Sequence, residues 1–303
     1  MYDIVIIGGG CAGLTAGIYA KEAGINVLML EKMMPGGQLN NIYNVTNYPG
    51  FESINGFDLA EKMRQQAAKL GVEFKNEEVV GVNFGSKVKT IKTNSNEYSA
   101  ENVIIATGAA SRKLNIENED EFYGRGVSYC ATCDGNLFKN KTVAVVGGGN
   151  TSIDDCLYLS NIVKNVYLIH RRDVFTANGK ELAEVMALGE NNGPIKIKSN
   201  YVVTKLIGDE TLEQIEITNV KTNEVETLNV DGLFIAIGKE PNTEMFEGIL
   251  KLTDAGFIST DENMETNIKG VYAVGDVRNT NLRQIITACA DGAIAVNSIV
   301  KKK

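Results

Sequence analysis

Tyr2-Asp3-Ile4-Val5-Ile6-Ile7-Gly8-Gly9-Gly10-Cys11-Ala12-Gly13 opens the chain, and its reading decides the fold. A short β-branched apolar run predicts a strand buried on both faces, as in a parallel sheet. The glycines follow at once, and Leu14-Thr15-Ala16-Gly17-Ile18-Tyr19-Ala20 continues as a helix start built of small residues. A strand, glycine turn and helix in succession aim backbone N–H groups and the positive end of a helix dipole at a pyrophosphate. A second strand over residues 26–30 ends at Glu31, 18 residues past Gly13, where a carboxylate accepts hydrogen bonds from a ribose 2′-hydroxyl. Glycine turns alone occur in proteins that bind nothing. Here strand, glycines, helix, second strand and acid coincide, which points to a dinucleotide.

The pattern recurs. Residues 142–149, Thr-Val-Ala-Val-Val-Gly-Gly-Gly, repeat the opening, with Gly147 139 positions after Gly8. The buried strand over 103–109 closes on Ala106-Thr107-Gly108, and residues 230–238 repeat that closure, so two related dinucleotide units are expected. The second unit differs from the first. Ser152 takes the third glycine position, where a small side chain fits between helix and strand. Its second strand, 165–169, ends at His170-Arg171-Arg172 instead of an acid. An acid repels a 2′-phosphate whereas guanidinium forks bind one, so this unit should prefer NADPH over NADH. The competing explanation of the three residues is a solvated basic corner.

Just ahead of that unit stands Cys130-Ala131-Thr132-Cys133-Asp134. Two thiols at this spacing can cycle between dithiol and disulfide. The alternatives are half a zinc site or a pair of inert thiols. For zinc, only Cys11, Cys156, Cys289 and His170 remain as further ligands, each isolated in a segment that reads as helix or strand, so no metal is expected.

The connection over 35–50, rich in Gly, Asn and Pro, should line a site. A helix is predicted over about 56–70, with Phe57, Leu59, Ala60, Met63, Ala67 and Leu70 on a core face. Residues 72–106 alternate in the manner of antiparallel strands. Near the end, residues 270–277 read as a strand followed by Gly275-Asp276, where the acid can hold a ribityl or phosphate hydroxyl. An amphipathic helix follows from Arg283 to about residue 300.

Composition sets the bounds. A chain of 303 residues predicts two domains, and 44% apolar with 22% charged residues describes an ordinary globular protein. The net charge of −8 comes from dispersed acids, which argues against nucleic acid or an anionic membrane as partner. The apolar start lacks a basic leader, and no run approaches the roughly 20 residues that span a bilayer. Five sparse cysteines argue for a reducing cytoplasm rather than a secreted disulfide framework.

Over essentially its full length the chain resembles the low-molecular-weight, bacterial-type thioredoxin reductases. The resemblance is carried by Gly8-x-Gly10-x-x-Gly13, Gly36-Gly37-Gln38-Leu39, Asn47-Tyr48-Pro49-Gly50, Ala106-Thr107-Gly108-Ala109, Cys130-Ala131-Thr132-Cys133-Asp134-Gly135, His170-Arg171-Arg172, Gly275-Asp276-Val277-Arg278 and Arg283-Gln284. It implies an α/β fold of two Rossmann-like three-layer domains, the NADPH domain (113–242, carrying the cysteine pair) inserted in a discontinuous FAD domain (1–112 and 243–303). The crossovers fall near Ser111-Arg112 and Pro241-Asn242. For FAD it implies contacts from Gly8, Gly10, Cys11, Ala12, Gly13, Glu31, Gly37, Gln38, Asn47, Thr107, Gly108, Gly275, Asp276, Arg283 and Gln284. For NADPH it implies Gly147, Gly149, Asn150, Thr151, Ser152, His170, Arg171, Arg172 and Gly238.

The implied chemistry is hydride transfer from NADPH to flavin, reduction of the Cys130–Cys133 disulfide, and exchange with a disulfide of thioredoxin. Cys133 is expected against the flavin, Cys130 as the attacking thiol and Asp134 as the proton carrier. A cytoplasmic homodimer is implied, with rotation of the inserted domain between half-reactions.

Two positions depart from the family's pattern. Thr176 stands where a further Arg is usual, four positions after the second Arg of His170-Arg171-Arg172, and Ser152 stands in place of Ala. These leave open a ferredoxin-linked flavin thioredoxin reductase or a related dithiol oxidoreductase. A nucleotide-binding thiol redox sensor is the non-enzymatic alternative. Cys11, Cys156 and Cys289 have no family role as thiols and read as packing residues.

Overall fold

The computed structural model describes residues 1–42, 45–189 and 193–302; Tyr43 and Asn44 of the 35–50 connection lie outside them. The chain divides into two compact units, Met1–Ala110 with Glu240–Lys303, and Ser111–Lys239.

The first unit begins with β1 (Tyr2–Ile7), α1 (Cys11–Glu22), β2 (Val27–Glu31) and α2 (Gly56–Lys69). Asn55 caps α2, accepting from the Phe57 amide at 2.9 Å; Leu59, Ala60, Met63 and Ala67 are buried as expected, whereas Phe57 and Leu70, at the two ends of the expected core face, are exposed. Then come β3 (Glu73–Asn76), β4 (Val79–Asn83), β5 (Lys89–Thr93) and β6 (Glu97–Ile105). β1 lies between β2 and β6, with Ile7 beside both Leu30 and Ile105, and it is buried on both faces as the unbroken run predicts, Ile4 and Ile6 entering one core and Val5 and Ile7 the other. The alternation over 72–106 predicts antiparallel strands throughout. Pairing of β4, β5 and β6 is antiparallel, but β3 runs parallel to β2, because α2 returns the chain to the start of the sheet.

A short strand β7 (Ala109–Ser111) leads into the second unit: α3 (Glu119–Phe122), β8 (Val127–Ser128), α4 (Ala131–Asp134), β9 (Thr142–Val146), α5 (Asn150–Ser160), β10 (Asn165–His170), α6 (Lys180–Gly189) and β11 (Ile195–Ser199). It continues through β12 (Tyr201–Gly208), β13 (Leu212–Asn219), β14 (Val225–Asn229) and β15 (Gly232–Ile235). Five parallel strands lie in the order β11-β10-β9-β15-β8. On one face sit α5 and α6 over a core that includes Ile153, Leu159 and Val185. On the other face the antiparallel sheet β12-β13-β14 supplies Ile215, Ile217 and Leu228 against Ala144 and Leu233. The result is three layers.

The chain returns through β16 (Lys239–Pro241), which pairs with β7, so the two crossovers run side by side. The first unit is completed by β17 (Val271–Ala273), parallel to β6, and by α7 (Ile285–Lys302). Helix α7 starts two residues later than the expected Arg283. Against α1 it packs so closely that a Cβ on Gly292 would stand 2.4 Å from the Ala12 carbonyl oxygen.

Candidate functional site

In the first unit the glycines of the opening turn do different things. Gly8 takes φ +106°, and a Cβ there would stand 2.4 Å from the Ala106 carbonyl oxygen. At Gly13 a Cβ would stand 2.0 Å from the Gly8 oxygen, which presses α1 onto the turn. Gly10, the residue that opens α1, has nothing within 4 Å of its Cβ position. An open backbone face at a helix N-terminus, with Cys11, Ala12 and Gly13 forming the first turn, is the cradle a pyrophosphate requires. Glu31, at the end of β2, reaches back to accept from the Gly9 amide at 2.7 Å and from the Met33 amide at 3.0 Å.

Around this turn the other expected residues assemble. Gly36 donates to the Gly9 carbonyl at 2.8 Å, which brings Gly37 within contact of Gly10. Gln38 donates to the Ala109 carbonyl at 2.5 Å, and Asn47 to the Gln284 side chain at 3.1 Å. Thr107 exchanges hydrogen bonds with Asn242, while Gly108 leaves its Cβ position open. Gly275, just before Asp276, donates to Asp291 at 3.0 Å; burial raises the Asp291 carboxyl pKa against the pull of Arg278, whose guanidinium lies 3.1 Å away. Arg283 lies over the Phe257 ring at 4.0 Å, and its Nε is buried without a partner among the described residues. The open glycine face, the orphaned Nε and a carboxylate at the ribose position fit the donor and acceptor needs of FAD.

The second turn is built on the same plan but closed differently. Gly147 (φ +158°) has Ser152 against its Cβ position, and the Ser152 hydroxyl donates to the Gly149 carbonyl at 2.7 Å. The extra atoms of Ser152 are thus absorbed by a hydrogen bond inside the turn. Arg171 and Arg172 are exposed, whereas His170 is buried. The imidazole covers Gly148, stacks on Phe175 at 4.8 Å and hydrogen-bonds the Val174 carbonyl at 3.0 Å. It therefore shapes the turn, unlike its two neighbours, which face solvent. From there the chain folds back over the glycines: the Thr176 and Ala177 amides and the Thr176 hydroxyl all donate to the Gly148 carbonyl, and the Asn178 amide donates to Asn150. Thr151 is exposed on the first turn of α5, and Gly238 takes φ +108° beside Arg112.

Cys130 and Cys133 are joined as a disulfide with a Cα–Cα distance of 5.3 Å, Cys130 capping the short α4. Ser128 organises the pair. Its hydroxyl accepts from the Cys130 amide at 3.0 Å and donates to the Asp134 carboxylate at 2.6 Å. Burial pushes the Asp134 carboxyl up, the Ser128 hydrogen bond opposing it, so a proton is held beside the sulfurs to higher pH than an exposed carboxyl would allow. No cluster able to hold a metal ion occurs among the described residues.

Three features escape the sequence reading. Ser128 is one; its signal is a hydroxyl two residues ahead of a cysteine, free to bond the backbone. Asp155, inside α5, is another: burial and the adjacent Asp154 push its carboxyl up to about 6 while Lys239 pulls it down. The third concerns the cysteines outside the Cys130–Cys133 pair. Cys156 is a buried core residue, as expected. Cys11 and Cys289 pack into the core of the first unit, as expected, but the crossing of α1 and α7 also brings them together, with the Cys289 thiol donating to the Cys11 carbonyl at 3.9 Å.

A profile of the pyridine nucleotide-disulphide oxidoreductases matches residues 2–292. The thioredoxin reductase of Bacillus subtilis (strain 168) is 40% identical over 99% of this chain and 94% of its own length. A 34.2 kDa protein encoded in the rubredoxin operon of Clostridium pasteurianum is 42% identical over 97% of this chain and 94% of its own. The crystal structure of thioredoxin reductase from Streptococcus pyogenes MGAS5005 superposes with a TM-score of 0.91 at 39% identity, covering 99% of this chain and 97% of that one.

Proposed function

Because the chain belongs to the pyridine nucleotide-disulphide oxidoreductase family, and within it to the thioredoxin reductases, we propose that it carries electrons from NADPH through FAD to Cys130–Cys133 and on to a thioredoxin disulfide. The observation that carries this reading is the Cys130–Cys133 disulfide followed directly by Asp134, whose carboxyl burial pushes up, in a unit with its own glycine turn. FAD, when bound, accepts a hydride from the nicotinamide and passes two electrons on to a disulfide.

The protein's own residues then act in order. The first unit holds FAD: Gly10 to Gly13 face the pyrophosphate, Glu31 the ribose, and Asp276 and Arg283 the rest of the cofactor. In the second unit Gly147 to Ser152 face the NADPH pyrophosphate, with Arg171 and Arg172 on the 2′-phosphate. Once reduced, Cys130 attacks a sulfur of the substrate disulfide; a mixed disulfide forms, and the departing thiolate takes its proton from Asp134. Cys133 then attacks Cys130, restoring the intramolecular disulfide and releasing the second thiolate of the substrate.

A homodimer in the cytoplasm completes the reading. An apolar groove between α1 and α7, lined by Tyr19, Ala23, Ile294 and Val300, supports the dimer. The sparse cysteines support the compartment.

Anaerobic titration of the yellow protein with NADPH, NADH and reduced ferredoxin in parallel tests the inlet. Bleaching by NADPH is expected; its absence, with bleaching by ferredoxin, would replace the donor. Cys133→Ser is expected to abolish NADPH-driven reduction of thioredoxin. Full turnover by that variant would overturn the dithiol step.

A further inference from the structure

Cys11 is the first residue of α1 and Cys289 lies in the second turn of α7, 278 positions apart in sequence. The fold brings them together through contacts that leave no room for adjustment. Besides the contact at Gly292, a Cβ on Gly275 would stand 3.0 Å from the Ala12 Cβ and 3.4 Å from the Ala288 Cβ. The residues in these closest contacts are Gly and Ala, so the two backbones set the distance rather than flexible side chains. The Cys289 thiol then donates to the Cys11 carbonyl oxygen at 3.9 Å, which sets the two thiols side by side, close enough for each to shift the other's pKa. Thr15 and Tyr48 stand close enough to Cys289 to favour its thiolate as well.

We propose that Cys11 and Cys289 are a second redox-active dithiol, distinct from Cys130–Cys133, which a hydroperoxide oxidises to a disulfide joining α1 to α7.

The surroundings favour this chemistry. The neighbouring Cys11, and then Thr15 and Tyr48, bring the Cys289 thiol down to about 7 against the opposing effect of burial, which favours its thiolate over that of Cys11. Cys11 is held in the thiol form by the neighbouring Cys289 and by burial. In the reaction the Cys289 thiolate attacks one oxygen of hydrogen peroxide; an S–O bond forms, the O–O bond breaks, and the hydroxide leaving takes a proton to become water. Cys11 then attacks the sulfenic sulfur as it gives up its proton. An S–S bond forms, the S–O bond breaks, and the departing hydroxide takes that proton as the second water. Two thiols lose two electrons and the peroxide gains them. A dithiol reverses the step by exchange. Cys156 provides the internal contrast: burial pushes its thiol up to about 12, and it should stay reduced throughout.

The test uses the full-length holoprotein, reduced, exposed to hydrogen peroxide without denaturant, alkylated and mapped by peptide mass. The expected result is a cross-linked pair of peptides holding Cys11 and Cys289, two hydrogens lighter than the reduced pair, which separates after dithiothreitol while Cys156 remains alkylated. Cys289→Ser, or Cys289→Ala should the first variant fold poorly, is expected to lose the cross-link. Peroxide that closes Cys130–Cys133 while Cys11 and Cys289 stay alkylated would overturn the proposal. So would oxidation of Cys289 to the sulfinic acid beside a free Cys11. The readout is peptide mass, so failure of the reductase reading leaves it unaffected.

Discussion

The two glycine turns share a backbone plan and differ at the position that closes them. The offset of 139 residues that relates Gly147 to Gly8 also relates His170 to Glu31, Ser152 to Gly13 and Asp155 to Ala16. In the first unit the closing group is a carboxylate drawn onto the turn by the Gly9 amide. In the second it is an imidazole lying on Gly148, followed by a loop that ties Thr176 to the Gly148 carbonyl. The backbone plan of the turn is thus common property, while the group after the second strand differs, and under the proposed function that group decides which ribose substituent is accepted. An acid there matches a free 2′-hydroxyl. An imidazole with two exposed arginines beyond it matches a phosphate.

Exchanging the third-position residue should break the likeness most severely. Gly13→Ser puts a side chain 2.0 Å from the Gly8 oxygen, with none of the accommodation Ser152 has, and is expected to cost about 3 kcal/mol in denaturant melts. Ser152→Gly should be far milder. Glu31→Ala leaves the Gly9 amide without its acceptor and removes the proposed ribose partner; FAD affinity measured by flavin fluorescence should fall by about 30-fold, near 2 kcal/mol.

Asp155 sharpens the contrast within the helices, since its counterpart Ala16 carries no charge. Its folded-state pKa of about 6 lies above the unfolded carboxyl value, so the folded state retains a proton the unfolded state has lost. Stability should therefore fall as pH rises from about 4 to about 6, and Asp155→Asn should recover on the order of 1–2 kcal/mol at pH 8, read from thermal melts at both pH values. The smallest effect belongs to Thr176→Arg. Adding an exposed guanidinium beside Arg171 and Arg172 should shift the kcat/KM preference toward NADPH over NADH by about tenfold, near 1.4 kcal/mol.

Much of this was legible in the chain itself, because the informative signals are local. The glycine turns, the strand-ending Glu31 and the Cys130–Cys133 spacing depend on neighbours within some twenty positions. The direction of β3 was not legible: alternation records which faces are wet, and a strand returning from a helix alternates as one from a hairpin does. Nor was the inward turn of His170, which follows from Phe175 and Gly148 enclosing its ring. The Cys11–Cys289 contact was the least accessible of all. It depends on Gly292 and Gly275, residues whose role is to have no side chain, near the far end of the chain.

The pairing of β7 with β16 has a consequence for how the protein can be taken apart. Both places where the chain crosses between units are adjacent strands of one ribbon, with Arg112 donating to Gly238 and Asn242 to Gly108. Strands so paired stand about 4.8 Å apart. Cutting out everything between them leaves two ends that a tight turn can rejoin, and the excised stretch has its own ends equally close. The inserted unit behaves as a cassette: either piece can be closed, permuted or replaced without stretching the backbone of the other.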